Sequence, residues 1–141
     1  MRGVDEFACE PYRRSEAEPL QVALLHSAFI ESGGVERVAL TQLKSLRTRG
    51  HKVDCYGAVV NLRKCFPELI RSADVHPYLI NAFLPKLQLS RMLPLSVLLS
   101  RFISGKLEGY DVVLCHHEPA PWIAYNALKQ LHVPYVCYVH H

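Results

Sequence analysis

A continuous apolar strand, a glycine pair and a glycine-capped amphipathic helix follow one another between Leu20 and Val53, and that order leaves few folds open. Gln21–His26 reads as a strand, and its run Val22–Leu25 is apolar without alternation, as in a strand buried on both faces. Gly33 and Gly34 end the loop that follows. Val35, Val38, Ala39, Gln42, Leu43 and Leu46 then fall on one helical face, and all but Gln42 are apolar. Glu36 in the first turn, with Lys44, Arg47 and Arg49 toward the end, complements the helix dipole, and Gly50 stands where a C-terminal cap belongs. Val53–Tyr56 reads as a second strand. Strand, helix and strand within about 36 residues make a βαβ unit, and a crossover helix of that kind joins parallel strands. The glycine pair lies at the positive end of the helix, where backbone N–H groups can approach a phosphate.

The remaining chain extends this unit. Residues 1–19 show no periodicity, include Pro11 and Pro19, and read as a mobile tail, leaving residues 20–141 as one domain. Leu62–Ile70 suggests a short helix interrupted at Pro67, and Asp74–His76 a minor third strand. A helix is expected from Pro94, a first-turn proline, to about Ile103. Val112–Cys115 reads as a fourth strand ending at His116-His117-Glu118. Pro119 and Pro121 open a helix through Leu131, and Tyr135–Val139 forms a fifth strand before His140-His141. Alternating strands and helices predict an α/β, Rossmann-like, doubly wound parallel sheet. Such a domain normally follows a strand like the fifth with another covering helix, so the chain reads as the front part of a longer architecture.

Composition narrows the function. The formal charge of +3 is too mild to point to nucleic acid. The first nineteen residues hold five acids against three arginines, so about +5 falls on the rest, which suits an anionic ligand or membrane surface. From Val75 to Leu107 there is no acidic residue, while Lys86, Arg91, Arg101 and Lys106 recur in the most apolar part of the chain. That segment fits either a core helix with cations at its wet edge or an amphipathic helix on an anionic membrane, with Lys86, Arg91 and Arg101 as the contacts. The core helix is the preferred reading. Five cysteines without a C-x-x-C pair, three of them inside apparent strands, favour a reducing compartment, most simply the cytosol. The acidic start MRGVDEFACE is no secretory signal, and no run of 18 apolar residues would span a membrane.

Ligands of parallel sheets sit outside the carboxyl ends of the strands. Three strands here end in reactive or polar groups: His26 through Gly34, His116-His117-Glu118, and His140-His141. G-x-G-x-x-G and G-x-x-x-x-G-K-[ST] are both absent, and the second strand ends in no carboxylate for a ribose, which disfavours a nicotinamide dehydrogenase and a P-loop nucleotidase. A metal-dependent hydrolase using His116, Glu118 and His140 is a weaker alternative. Adjacent histidines on an extended chain point apart, and H-x-x-x-H spacing is missing, so no resident metal is expected.

The run LLHSAFIESGGVERVALTQLKSLRTRGHKV resembles the opening of retaining glycosyltransferases of family 4, which have the GT-B fold. GYDVVLCHHEPAPWIA and VPYVCYVHH resemble the fourth and fifth strands of the same amino-terminal domain. The resemblance implies no cofactor but a nucleotide-diphosphate sugar as co-substrate, carrying a mannose- or glucose-type sugar to a glycan or lipid-linked acceptor. It implies that Gly33 and Gly34 approach the donor diphosphate and that His140 lies beside the transferred sugar. His26, His116, His117 and Glu118 would line the acceptor side. Family members also carry a second Rossmann-like domain with two glutamates seven residues apart, and neither feature is in this sequence. The expectation is therefore an acceptor-side, apparently truncated half that needs the missing domain for transfer. The alternative is a non-catalytic module that binds a partner or a membrane surface.

Overall fold

A computed structural model of the chain describes residues 18–78 and 93–140. Five parallel strands form one sheet: β1 (Gln21–Phe29), β2 (Lys52–Val60), β3 (Val75–Pro77), β4 (Val112–His116) and β5 (Tyr135–Tyr138), in the order β3-β2-β1-β4-β5. The helices are α1 (Gly34–Thr48), α2 (Pro67–Ala73), α3 (Leu93–Ile103) and α4 (Ala120–Leu128). The expected doubly wound α/β sheet is present. The chain moves outward from β1 to β3, returns, and continues from β4 to β5, so the order reverses between β1 and β4.

Strand periodicity divides the core in two. Val22 and Leu24 face the layer of α1 and α2, where Leu40, Leu43 and Ile70 are buried. Ala23 and Leu25 face α3 and α4, where Leu99, Ile103 and Ile123 are buried. Helices on both faces explain the eight consecutive buried residues of β1. The strand is longer than its apolar run because His26 and Ser27 are also buried. β2 likewise extends to Val60.

The buried face of α1 is Ala39, Leu40 and Leu43, while Val38, expected inside, is 38% exposed. Arg47 explains the rotation. Its guanidinium lies inward and donates to the Val53 carbonyl at 2.9 and 2.6 Å and to the Ala73 carbonyl at 3.0 Å, tying α1 to β2 and α2. Gly50 takes φ +89° just beyond the helix. Its N–H donates to the Arg47 carbonyl and that of His51 to Leu46, which closes the helix in a Schellman motif.

Pro67 starts α2 rather than interrupting a helix. A first-turn proline lacks only an N–H that would have no intrahelical partner there. α4 is shorter than expected and gives way at Leu128 to turns, with His132 at φ 55°. β5 is exposed along its whole length. Among the described residues, no helix covers β5 on the α1 side, and a gap of about 550 Å³ there is bounded by Gly34, Arg37, Val38, Gln42 and Tyr138. The residue 1–17 portion of the expected tail lies outside the described residues.

Candidate functional site

The in-register pairs His26–His116 and His116–Tyr138 bring the ends of β1, β4 and β5 to one edge of the sheet. Loops there are held together by their own polar groups. Ser32 Oγ donates to the Lys64 carbonyl and accepts from the Phe66 N–H, both at 2.9 Å, joining the loop after β1 to the loop after β2. Asn61 donates its N–H to the Phe29 carbonyl at 2.7 Å.

A cleft of about 900 Å³ opens at this edge. His26, His117, Glu118 and His140 line it, as do Glu36, Trp122 and Tyr138. His116 lies behind the cleft and is completely buried. Gly34 lines the neighbouring gap instead, and Gly33 borders neither. The structure thus gathers four of the residues singled out from sequence, puts His116 in their support and sets the glycines to one side. Arg101 is on α3, exposed beside exposed Leu98 and Phe102. Lys86, Arg91 and His141 lie outside the described residues.

Two histidine contacts order the site. His26 Nδ1 is 3.0 Å from the His116 carbonyl oxygen, which can only accept, so the proton is on Nδ1. His26 Nε2 lies 3.8 Å from Glu36 Oε1, an approach that attracts the carboxylate when Nε2 carries a proton as well. This His26 contact is the main influence holding the Glu36 carboxyl below its usual value of 4.5. The second contact joins His116 Nδ1 and His140 Nε2 at 3.2 Å. Burial pushes His116 from 6.5 down to about 4, and burial also lowers His140.

The Glu36 carboxylate lies over Gly33. Gly33 is the extended N-cap of α1, and a Cβ there would collide with Glu36 Oε2. Gly34 has open space beside it, while the Glu36 carboxylate folds over Gly33 and takes a backbone hydrogen bond from its own N–H in the first turn of α1. Exposed Gly34, with Arg37 one turn along, is the part of this helix end left open to an anion. Glu36 thus serves two groups, His26 and its own backbone N–H.

Trp122, Tyr138 and Glu31 were not singled out from the sequence. Tyr138 was recoverable, because strand alternation puts it two residues from His140 on the same side. Trp122 required knowing that the first turn of α4 packs at the cleft mouth. Chemically, exposed aromatic faces combined with carboxylates and imidazoles suit a polyhydroxylated ligand, which offers C–H faces for stacking and hydroxyls for hydrogen bonding. Among the described residues, no three histidine, cysteine, aspartate or glutamate side chains converge as metal ligands.

The sequence matches the family model for Glycosyltransferase Family 4 over residues 32–141. No curated protein matches it significantly. Among solved structures, the lipopolysaccharide outer core galactosyltransferase WaaB, apo form, is similar at 16% identity and a TM-score of 0.55, covering 84% of this chain and 32% of that one. A glycosyltransferase from Rickettsia africae ESF-5 is similar at 20% identity and a TM-score of 0.51, covering 84% and 29%. The C-terminal domain (residues 83–215) of PF1911 hydrogenase from Pyrococcus furiosus gives 19% identity and a TM-score of 0.55, covering 86% and 93%. At these identities the structural likeness establishes a shared fold alone. The chain spans about a third of the length of the two glycosyltransferases.

Proposed function

The chain belongs to Glycosyltransferase Family 4, and we propose that it is the acceptor-side domain of an enzyme that transfers a mannose- or glucose-type sugar with retention of configuration. The donor in this reading is a nucleotide-diphosphate sugar and the acceptor a glycan or lipid-linked glycan. The observation that carries it is the cleft at the carboxyl edge, where His140, Trp122 and Tyr138 meet carboxylates from two other loops.

Transfer requires stabilising the departing diphosphate. The first turn of α1 at Gly34 is suited to part of that task, contributing about 0.3–1 kcal/mol and up to about 2 kcal/mol in a partly buried site. Glu36, folded over Gly33, opposes negative charge nearby, so most of the stabilisation must come from other donors. A second Rossmann-like domain is the proposed source. His140 orients the sugar by a hydrogen bond, and Glu118 and His117 face the acceptor.

The test is release of nucleoside diphosphate from a panel of sugar nucleotides by the intact protein, wild type against His140→Ala. Loss of one sugar hydrogen bond, worth about 0.5–1.5 kcal/mol, predicts a drop of roughly two- to tenfold. Turnover at the wild-type rate would remove His140 from the mechanism, and no consumption of any sugar nucleotide would overturn the reading.

A peripheral location on the cytosolic membrane face is a second reading. It is supported by exposed Leu98 and Phe102 flanking Arg101 on α3. Flotation with anionic vesicles should be lost in the double variant Arg101→Glu, Phe102→Ser and absent with neutral vesicles; equal flotation of variant and wild type would exclude this surface. Among the described residues, no helix is long and apolar enough to cross a membrane.

A further inference from the structure

His116 Nδ1 and His140 Nε2 stand 3.2 Å apart, so one proton lies between two rings and one ring must donate it. The other nitrogen of His116 decides which. Nε2 is buried and has no hydrogen-bond partner among the described residues. Burial keeps the ring neutral at ordinary pH, with a single proton to place. On Nε2 that proton would be a buried donor without an acceptor, the rarest kind of orphan; on Nδ1 it meets His140.

We infer that His116 is a positioning residue: its Nδ1–H donates to His140 Nε2 and fixes His140 in the Nδ1–H tautomer, so that His140 offers the cleft an N–H donor. The inference rests on the reading of His140 as a sugar-contacting residue and gives that contact a direction. The donor, on the side of the ring away from His116, matches an oxygen acceptor of a carbohydrate, a hydroxyl or a ring oxygen.

The ring of His116 is well placed to impose this. It stacks on Tyr138, with centroids 5.3 Å apart and planes 20° apart, and Tyr138 is its register partner on β5. The His116 main chain is fixed by the hydrogen bond from His26 Nδ1. His140 extends from the same strand end and packs 4.9 Å from Tyr138. His26, Glu36 and His117 are the other charged or titratable groups that influence His140 electrostatically, and none of them hydrogen-bonds its ring.

Two-bond proton–nitrogen correlation spectra of the uniformly labelled chain, recorded above neutral pH, read the tautomer directly. His140 should show a protonated Nδ1 and an unprotonated Nε2, and His116 likewise a protonated Nδ1. His116→Asn, which keeps an N–H donor near the Nδ1 position, should leave His140 in that state. His116→Phe, which keeps the ring stack but has no donor, should shift His140 to a mixture with Nε2–H in the majority. A wild-type His140 protonated on Nε2 overturns the inference, as does a His116→Phe protein with the tautomer unchanged. The wild-type spectrum alone decides if a variant does not fold. No substrate is needed, so this outcome is separate from that of the His140→Ala turnover assay.

Discussion

Phe29→Ala should destabilise the chain by about 3–5 kcal/mol, the usual cost of removing a fully buried aromatic ring. Phe29 closes β1 at the carboxyl edge and has no exposed surface. Its ring meets His26 edge-on, with centroids 4.6 Å apart and planes at 68°. On the other side it lies against Gly57, where an added Cβ would stand 3.0 Å from Phe29 Cδ2. β2 has glycine at this point because the ring fills the space of a side chain. That fit makes relaxation into the vacated volume difficult, since Gly57 has nothing to move inward. Urea unfolding monitored by circular dichroism should show a lower midpoint with an unchanged slope. A loss below about 1 kcal/mol would mean that the edge repacks around the hole. Domains of this kind have about 5–15 kcal/mol in total, so the expected loss is a large share of it.

The same residue shows where sequence reading reaches its limit. The βαβ unit was legible because an unbroken apolar run and a helical period each report burial directly. The end of β1 was not. The pattern ends the strand at His26 and makes Ser27 look like the start of a loop, yet β1 runs on to Phe29 with both residues buried and the His26 ring held on the His116 carbonyl. A partner ninety positions away is invisible to local pattern. The face of α1 was misread for a related reason: Arg47 takes an inward place by satisfying two carbonyls, and no hydrophobic period anticipates that.

For the site, parallel strands guaranteed that their carboxyl ends share an edge, so a cleft containing His26, His117, Glu118 and His140 was within reach of sequence. Which histidine faces the cleft and which stands behind it depended on twist and register. His116 and His117 are neighbours with opposite fates, one buried at the end of β4 and one exposed at φ 58°. His117 leaves the strand through its left-handed turn, and the packing of β5 brings His116 against His140.

That burial gives the fold an expected sensitivity to acid. His116 has a folded-state pKa of about 4 against an ordinary 6.5, so between those values the unfolded chain binds a proton that the folded chain refuses. Stability therefore rises with pH across this window, and acid lowers it, by roughly 2–3 kcal/mol from neutral pH to about pH 4.5. His140, also lowered by burial, acts in the same direction. Glu36 adds a loss at lower pH, because a carboxyl held below its usual value stabilises the fold only while ionised, and that contribution fades as pH falls through its folded value. Urea midpoints measured at intervals across this range should trace the fall. His116→Phe, which keeps the ring on Tyr138 but does not titrate, should remove most of the slope between pH 6.5 and 4 and leave the lower-pH part due to Glu36. A slope unchanged by that substitution would place the acid sensitivity elsewhere in the chain and deny the buried imidazole its role in it.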